Sequence, residues 1–183
     1  MKSNIEAIND IMKVYLKVEN YKVKLLKEDN LKQINDLCSK SKDYFILDQG
    51  VEPSDITSKD ILEALPPGMG YEDKFVIGYF DHENTLVALI DLIKNYPMIQ
   101  KWTLGLILID PSYRKKGLGA KIHQNLEGWI AKQSGKSIRI GVLDDNEAIN
   151  FWKKTGYQTV KESILKRDGK KDKGVLIMEY LIH

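Results

Sequence analysis

A basic tripeptide followed by two closely spaced glycines is the pattern with the clearest chemical meaning in this sequence. Arg114, Lys115 and Lys116 precede Gly117 and Gly119. The start of a helix leaves backbone N–H groups unpaired and carries partial positive charge. Glycines there let the backbone approach a bulky anion, and the cations add Coulomb attraction. The pattern therefore predicts a phosphate or pyrophosphate site; the alternative is a solvated basic helix cap.

A strand and a helix must flank these residues if the glycines are to lie at a helix start. Leu104 to Ile109 is an almost unbroken apolar run that ends at Asp110-Pro111, which favours a strand buried on both faces. From Leu118 onward, apolar residues recur at helical spacing. The stretch is not a P-loop, since GxxxxGK[ST] is missing, and not a dinucleotide fingerprint, since Ile122 replaces its third glycine.

At these residues the chain resembles the GNAT superfamily of N-acetyltransferases. The family signature is Arg or Gln, two residues, Gly, one residue, and Gly or Ala, which here reads RKKGLG from Arg114 to Gly119. The resemblance implies that the loop amides bind the pyrophosphate of acetyl-CoA and that the end of the preceding strand hydrogen-bonds its pantetheine arm. The acetyl-CoA-binding residues expected here are Ile107, Leu108, Ile109, Arg114, Lys115, Lys116, Gly117, Leu118, Gly119 and Ala120.

A second stretch, from position 145 to position 157, resembles the family motif N-x-x-A-x-x-[FL]-Y-x-K-x-G-[FY], with Trp152 at the tyrosine position. Many relatives use that tyrosine as acid to the leaving thiolate, but an indole cannot supply a proton near neutral pH. We expect Trp152 either to pack along the cofactor, with a positioning role only, or to be a core residue. In this motif the Asn binds the cofactor. Counting back from Ala148 puts Asp145 at the Asn position, whereas Asn146 is the next residue. Asn146 is favoured because the Asp carboxylate would repel phosphate.

The general base is not evident from the resemblance. Many relatives carry a Glu on the fourth strand, yet no acidic residue lies between Lys101 and Ile109. Asp91 lies inside the apolar run VALIDLI, where a carboxylate needs a partner or a function. We take Asp91 as the tentative catalytic base; the alternative is a structural pair with an unidentified basic side chain. Weaker candidates are Asp43, Tyr44, Tyr113 and Tyr157.

Composition indicates one globular domain with a sizeable core: 183 residues, 43% hydrophobic and 30% charged. The net charge of +2 argues against a dedicated nucleic-acid binder. Cys38 is the single cysteine and is expected in the core, while His123 and His183 are expected to be surface or core residues. No metal-binding spacing, membrane-length apolar run or signal peptide is found, so we expect no metal, no membrane and a soluble cytoplasmic protein.

The order of the predicted elements indicates a mixed sheet covered by helices. The prediction is an N-terminal helix from about 3 to 17, then strands near 21–25, 74–80, 86–93, 104–109, 137–143, 157–165 and 175–182. Helices are predicted near 30–38, 57–65, 118–134 and 146–154, and Ser41 to Asp55 is predicted to be irregular. The resemblance implies an α/β (α+β) GNAT-like fold with a mixed, mostly antiparallel central sheet of about seven strands. Residues 1–19 would be an N-terminal helical extension, and residues 20–183 a single N-acetyltransferase domain.

These patterns predict an N-acetyltransferase that moves an acetyl group from acetyl-CoA to a primary amine by direct attack in a ternary complex. No residue is an obvious acyl-enzyme nucleophile. One alternative is a non-catalytic acyl-CoA-binding sensor, since the family's Glu and Tyr are missing; another is a nucleotide-phosphate binder. The expected partners are acetyl-CoA and an amine-bearing acceptor, without nucleic acid, and homodimerisation through the N-terminal helix is left open.

Overall fold

The central feature of the fold is one mixed sheet of seven strands. The computed structural model describes residues 12, 14–166 and 172–183. The strands are β1 (Lys22–Leu25), β2 (Lys74–Phe80), β3 (Leu86–Ile93), β4 (Lys101–Ile109), β5 (Ser137–Leu143), β6 (Gln158–Leu165) and β7 (Lys173–Leu181). Their order is β1-β2-β3-β4-β5-β7-β6, and only the β4–β5 pair is parallel within the described residues. The predicted mostly antiparallel sheet is confirmed.

Helices flank this sheet at the positions that the apolar patterns indicate, with one addition. The described helices are α1 (Leu31–Lys40), α2 (Lys42–Gln49), α3 (Asp55–Glu63), α4 (Leu118–Lys132) and α5 (Ala148–Thr155). The prediction of an irregular segment after Ser41 is wrong, because that segment holds α2. This helix buries only Phe45, so no apolar stripe marks it in the sequence. It ends at Gly50, whose φ of 71° is left-handed.

Two apolar clusters cover opposite faces of the sheet. The first lies under α4 and α5 and includes Trp102, Trp129 and Ile140. The second lies under α1 to α3 and includes Ile34 and Leu89. Successive strand residues point to opposite faces, so alternate residues of β3 enter different clusters. No helix of the described residues is long and apolar enough to cross a membrane.

The last part of the predicted N-terminal helix packs against α4. Met12 and Leu16 are completely buried in the first cluster, and Val18 is 2% exposed. The Asn125 amide donates a hydrogen bond to the Lys17 carbonyl at 2.7 Å. These residues therefore share the core of the domain. The rest of that predicted helix lies outside the described residues, and the division at residue 19 stays a prediction.

Candidate active site

The strands β4 and β5 separate shortly after they begin to pair. Their parallel pairing joins only Lys101–Thr103 to Ser137–Arg139, although β5 continues to Leu143 along β7. The prediction that 104–109 is buried on both faces is therefore wrong: Gly105 is exposed, and Leu106 and neighbouring positions are half-buried. The divergence leaves a wedge-shaped gap between the two strands, which is the position where an extended ligand can enter a sheet.

A β-bulge lies at the narrow end of this gap. In the pairing of β3 with β4, Leu92 is opposite Leu104 and Asp91 is opposite Leu106, so Gly105 is the extra residue. A methyl group placed at Gly105 would lie 3.7 Å from Asp91 Oδ2. The Asp91 carboxylate therefore lies beside the bulge, next to the point where β4 and β5 separate.

Asp91 is paired with Lys74, the basic side chain that the sequence does not identify. Lys74 Nζ donates to both carboxylate oxygens, at 2.8 and 2.9 Å. The side chains are 3% exposed for Lys74 and 18% for Asp91, so the carboxylate keeps the larger contact with solvent. Burial raises the pKa of Asp91 above its usual value, and the lysine charge opposes that increase. Asp91 is thus both ion-paired and accessible, and its role as base stays a prediction.

The backbone of β4 presents unpaired groups to the gap at alternate residues. Asp110 N–H donates to the Val87 carbonyl at 2.9 Å, which fixes the alternation of the antiparallel ladder. The backbone groups of Leu108 therefore face β3, whereas those of Ile107 and Ile109 face the gap; of these, the Ile109 carbonyl already accepts a hydrogen bond from Arg114 Nε. Of the three residues expected to bind pantetheine, the backbone geometry thus favours Ile107 and Ile109 and disfavours Leu108.

The loop between β4 and α4 leaves a run of backbone amides free. Within the described residues, no N–H from Lys115 to Ala120 donates an internal hydrogen bond, and the first helical bond runs from Lys121 N–H to the Gly117 carbonyl at 3.1 Å. These amides come from Lys115, Lys116, Gly117, Leu118, Gly119 and Ala120. They form the unpaired, electropositive start of a 15-residue helix. This geometry is what an anion-binding loop requires.

Gly117 gives this loop its shape. Its φ is 83°, a left-handed value that side chains disfavour, and no atom lies within 4 Å of the position of a Cβ there. Lys115 also has a positive φ, of 58°. A methyl group at Gly119 would lie 3.3 Å from Ile109 Cδ1 and 3.7 Å from Phe151 Cζ. The glycines therefore bring the start of α4 close to the end of β4 and to α5.

The Arg114 side chain is occupied within the protein. Its Nε donates to the Ile109 carbonyl at 2.8 Å, and its guanidinium forms a two-pronged ion pair with Asp43 of α2. This hydrogen-bonded guanidinium lowers the pKa of the Asp43 carboxyl. Arg114 thus links α2 to the end of β4. The positive charge of the loop that remains available to a ligand is that of Lys115 and Lys116. Asp43, a weaker candidate base, is accordingly a structural partner.

Asn146 and Asp145 have different surroundings at the start of α5. Asn146 Oδ1 accepts a hydrogen bond from Ala148 N–H at 2.8 Å, two residues further on, as in an Asx turn just before α5. Asp145 pairs with Lys173 Nζ at 3.0 Å. The same lysine donates to the Leu47 carbonyl at 2.7 Å, so it joins β7 to α2. Contact of Asn146 with a cofactor stays a prediction.

Trp152 lies in a buried aromatic cluster. It is 5% exposed, and its ring centroid is 5.0 Å from that of Tyr157 and 6.2 Å from that of His123. His123 Nε2 is hydrogen-bonded to the Tyr157 hydroxyl at 3.0 Å. This packing supports the interpretation of Trp152 as a core residue, while its positioning role stays a prediction. Burial raises the pKa of Tyr157, so its phenol remains protonated.

The cluster predicts an acid-sensitive contribution to stability. Burial lowers the pKa of His123 below its usual 6.5. Since the unfolded chain then binds the proton first, stability falls as the pH drops below that value. We expect the His123→Gln variant, which keeps a polar partner for Tyr157, to lose less unfolding free energy between about pH 7.5 and pH 5.5 than the wild type. Denaturant melts at both values measure this, and equal losses would contradict it.

The remaining candidates do not converge on the gap. Tyr113 donates to Asp81 at 2.9 Å, and this hydrogen bond raises the pKa of Tyr113 to about 12. Burial raises the pKa of Tyr44 and takes that of Cys38 to about 12, so Cys38 is an inert core thiol. His183 is exposed at the chain end. Among residues 12, 14–166 and 172–183, no group of His, Cys, Asp or Glu could hold a metal ion.

Comparison with known proteins agrees with this geometry. The family model described as the acetyltransferase (GNAT) family matches residues 35–157, which is more than half of the chain. The chain therefore belongs to the GNAT acetyltransferase family, whose members use acetyl-CoA. No curated protein sequence matches the chain.

Solved structures share the fold over most of the chain. One is the spermidine N-acetyltransferase from Vibrio cholerae in complex with CoA and spermine, with a TM-score of 0.69, 14% identity and coverage of 90% of this chain and 97% of that one. An aminoglycoside 6'-N-acetyltransferase complexed with coenzyme A has a TM-score of 0.64 and 20% identity, with coverage of 88% of this chain and 97% of that one. The ribosomal-protein-S18-alanine N-acetyltransferase from Escherichia coli has a TM-score of 0.63 and 17% identity, with coverage of 88% of this chain and 94% of that one. At these identities the likeness shows the fold, which confirms the predicted fold class.

Proposed function

We propose that this protein is an N-acetyltransferase that transfers an acetyl group from acetyl-CoA to a primary amine by direct attack in a ternary complex. The proposal is supported mainly by three features that follow one another along the gap between β4 and β5. Free amides at the start of α4 lie at the wide end of the gap between β4 and β5. Unpaired backbone groups of β4 line that gap, and Asp91 lies at its narrow end.

The residues present fit acetyl-CoA. The amides from Lys115 to Ala120 can receive the pyrophosphate, with Lys115 and Lys116 adding positive charge. The backbone of Ile107 is placed to hydrogen-bond the amides of a pantetheine arm lying along β4. Asn146, across the gap at the start of α5, retains an amide NH₂ group for the same arm. Bound acetyl-CoA supplies an activated thioester carbonyl.

We assign to Asp91 the role of general base, which accepts the proton of the acceptor amine. The amine nitrogen forms a bond to the acetyl carbon while the carbon–sulfur bond breaks, so nitrogen must release one proton and sulfur must gain one. Asp91 accepts the proton directly or through water, and its raised pKa brings its basicity closer to that required near neutral pH. Lys74 fixes the orientation of the carboxylate. Since Trp152 cannot act as an acid, the thiolate receives its proton from solvent.

An acetylation screen tests the proposal. The purified chain is mixed with acetyl-CoA and, in separate wells, polyamines, aminoglycosides, amino acids and peptides at alkaline pH, where more of each amine is neutral. We expect thiol release and a product heavier by one acetyl group in at least one class. Binding of acetyl-CoA without thiol release in any class would contradict catalysis and favour a sensor. Cytoplasmic location and dimerisation stay predictions.

A further inference from the structure

Within the described residues, one face of β5, of the first part of β4 and of the last part of β7 is not covered by a helix of the second apolar cluster, and it forms a floor beside the gap. Residues buried under α4 and α5, such as Trp102, Ile138 and Met178, alternate with residues that point to the other face. The second apolar cluster, under α1 to α3, contains no residue of β5 or β7. We call the exposed or half-buried residues of this surface the open face: Lys101, Thr103, Gly105, Arg139, Gly141, Ile177 and Glu179.

The charges on and beside the open face do not cancel. Asp91 is neutralised by Lys74, and Glu179 is neutralised by Lys101 Nζ at 2.5 Å. Both carboxylates therefore already have a lysine partner. Arg139 is directly opposite Glu179 in the β5–β7 pairing, yet no ion pair or hydrogen bond to its guanidinium is found within the described part of the chain. Among the described residues, Arg139 is thus the half-buried positive charge of this surface that has no partner.

Arg139 lies where the gap begins. It pairs with Thr103 in the last register position that joins β4 to β5. Beyond it, Gly105 on β4 and Gly141 on β5 are both exposed and carry no side chain. A methyl group at Gly141 would lie 3.6 Å from Val175 and 3.8 Å from Ile177, which form an apolar wall. The surface thus combines a carboxylate near the acyl position, open space and a guanidinium.

We propose that the acceptor is an amine that also carries a carboxylate, and that Arg139 binds this carboxylate while Asp91 receives the amine proton. This inference rests on the proposed function. The planar guanidinium fork matches a carboxylate in two-pronged geometry. A half-buried guanidinium without a partner is unfavourable, and the acceptor's carboxylate supplies the missing partner. A polyamine would bring further positive charge to Lys101 and Arg139, while the carboxylates described on this surface, Asp91 and Glu179, already have lysine partners.

Matched acceptor pairs test this inference. L-leucine is compared with leucinamide and isoamylamine, and the peptide Ala-Glu-amide with Ala-Gln-amide, to separate an α-carboxylate from an acidic side chain. We expect the carboxylate member of at least one pair to be acetylated with the higher kcat/KM. In Arg139→Gln, KM for that acceptor should rise about tenfold to hundredfold, as for loss of a charged hydrogen bond. Arg139→Lys should recover part of the loss.

Two controls separate acceptor recognition from other roles of Arg139. Affinity for acetyl-CoA, measured by calorimetry, should be unchanged in Arg139→Gln, and so should KM for the carboxylate-free acceptor. Lys22→Gln removes an exposed charge from β1 at the far edge of the sheet and should leave both constants unchanged. Preference for carboxylate-free amines, or an equal effect of Arg139→Gln on both members of a pair, overturns this inference but leaves the transferase intact. Acetylation of no amine overturns both.

Discussion

Replacement of Gly117 by valine is expected to weaken binding of acetyl-CoA by about a hundredfold. The φ of 83° at this position is disfavoured for most side chains and most strongly for a β-branched one. Because the space around a Cβ at this position is open, the effect comes from backbone conformation rather than a clash. The loop must change its path, and the amides from Lys115 to Ala120 then no longer point to one anion. Isothermal titration calorimetry with acetyl-CoA and with CoA measures this loss.

Two variants control for this result. Gly117→Asn introduces a side chain that tolerates the left-handed region, and should retain most of the affinity. Gly128→Ala lies in the middle of α4, where nothing is within 4 Å of the added methyl group. It should bind acetyl-CoA like the wild type and should stabilise the helix by about 0.5–1 kcal/mol. Unchanged affinity in Gly117→Val would remove the main support for the pyrophosphate site.

Replacement of Asp91 by asparagine is expected to lower kcat by about 10² to 10⁴, the usual contribution of a general base. The affinity for acetyl-CoA should be unchanged, because Asp91 lies at the narrow end of the gap and not at the loop. Burial raises the pKa of this carboxyl, and only its deprotonated form can accept a proton. The rate of the wild type should therefore fall as the pH drops through this raised value. Single-turnover rates over a pH series should fall in both proteins as the acceptor amine becomes protonated, and the additional decline from protonation of Asp91 should appear only in the wild type.

A second variant separates catalysis from stability. Asp91→Asn leaves the Lys74 ammonium buried without its counter-ion, which destabilises the fold. The double variant Lys74→Met with Asp91→Leu removes both charges and should recover stability in denaturant melts. It should remain as inactive as the single variant. Recovery of activity together with stability would show that the pair serves the fold alone.

The fold was largely predictable because strand patterns are local. The strands β2, β3 and β5 begin and end at the predicted residues, since each is a short, mainly apolar segment bounded by turn-forming or polar residues. The start of α4 was predictable for the same reason, from the glycines and the helical spacing that follows. The helix α2 was missed because it lies at the side of the core and buries a single residue, which leaves no periodic signal.

The candidate site was predictable only where it is built from neighbouring residues. The loop from Arg114 to Gly119 lies in one short segment, so its chemistry could be inferred from residue types. The partner of Asp91 could not, because Lys74 reaches it through the register of β2 and β3. The ion pair of Arg114 with Asp43 similarly joins elements 71 positions apart. No pattern in the sequence singled out Arg139, since the role proposed for it depends on which neighbouring charges are already paired in the fold.

The short pairing of β4 with β5 has a consequence for the motions of the free protein. Within the described residues, three residue pairs join the β1–β4 half of the sheet to the β5–β7 half. An extended ligand in the gap would act as a surrogate strand that bridges the two halves and gives Ile107 a hydrogen-bonding partner. Amide hydrogen exchange at that residue should therefore slow when acetyl-CoA is added. The melting temperature should rise with ligand concentration, because ligand bound only to the folded state stabilises it by mass action.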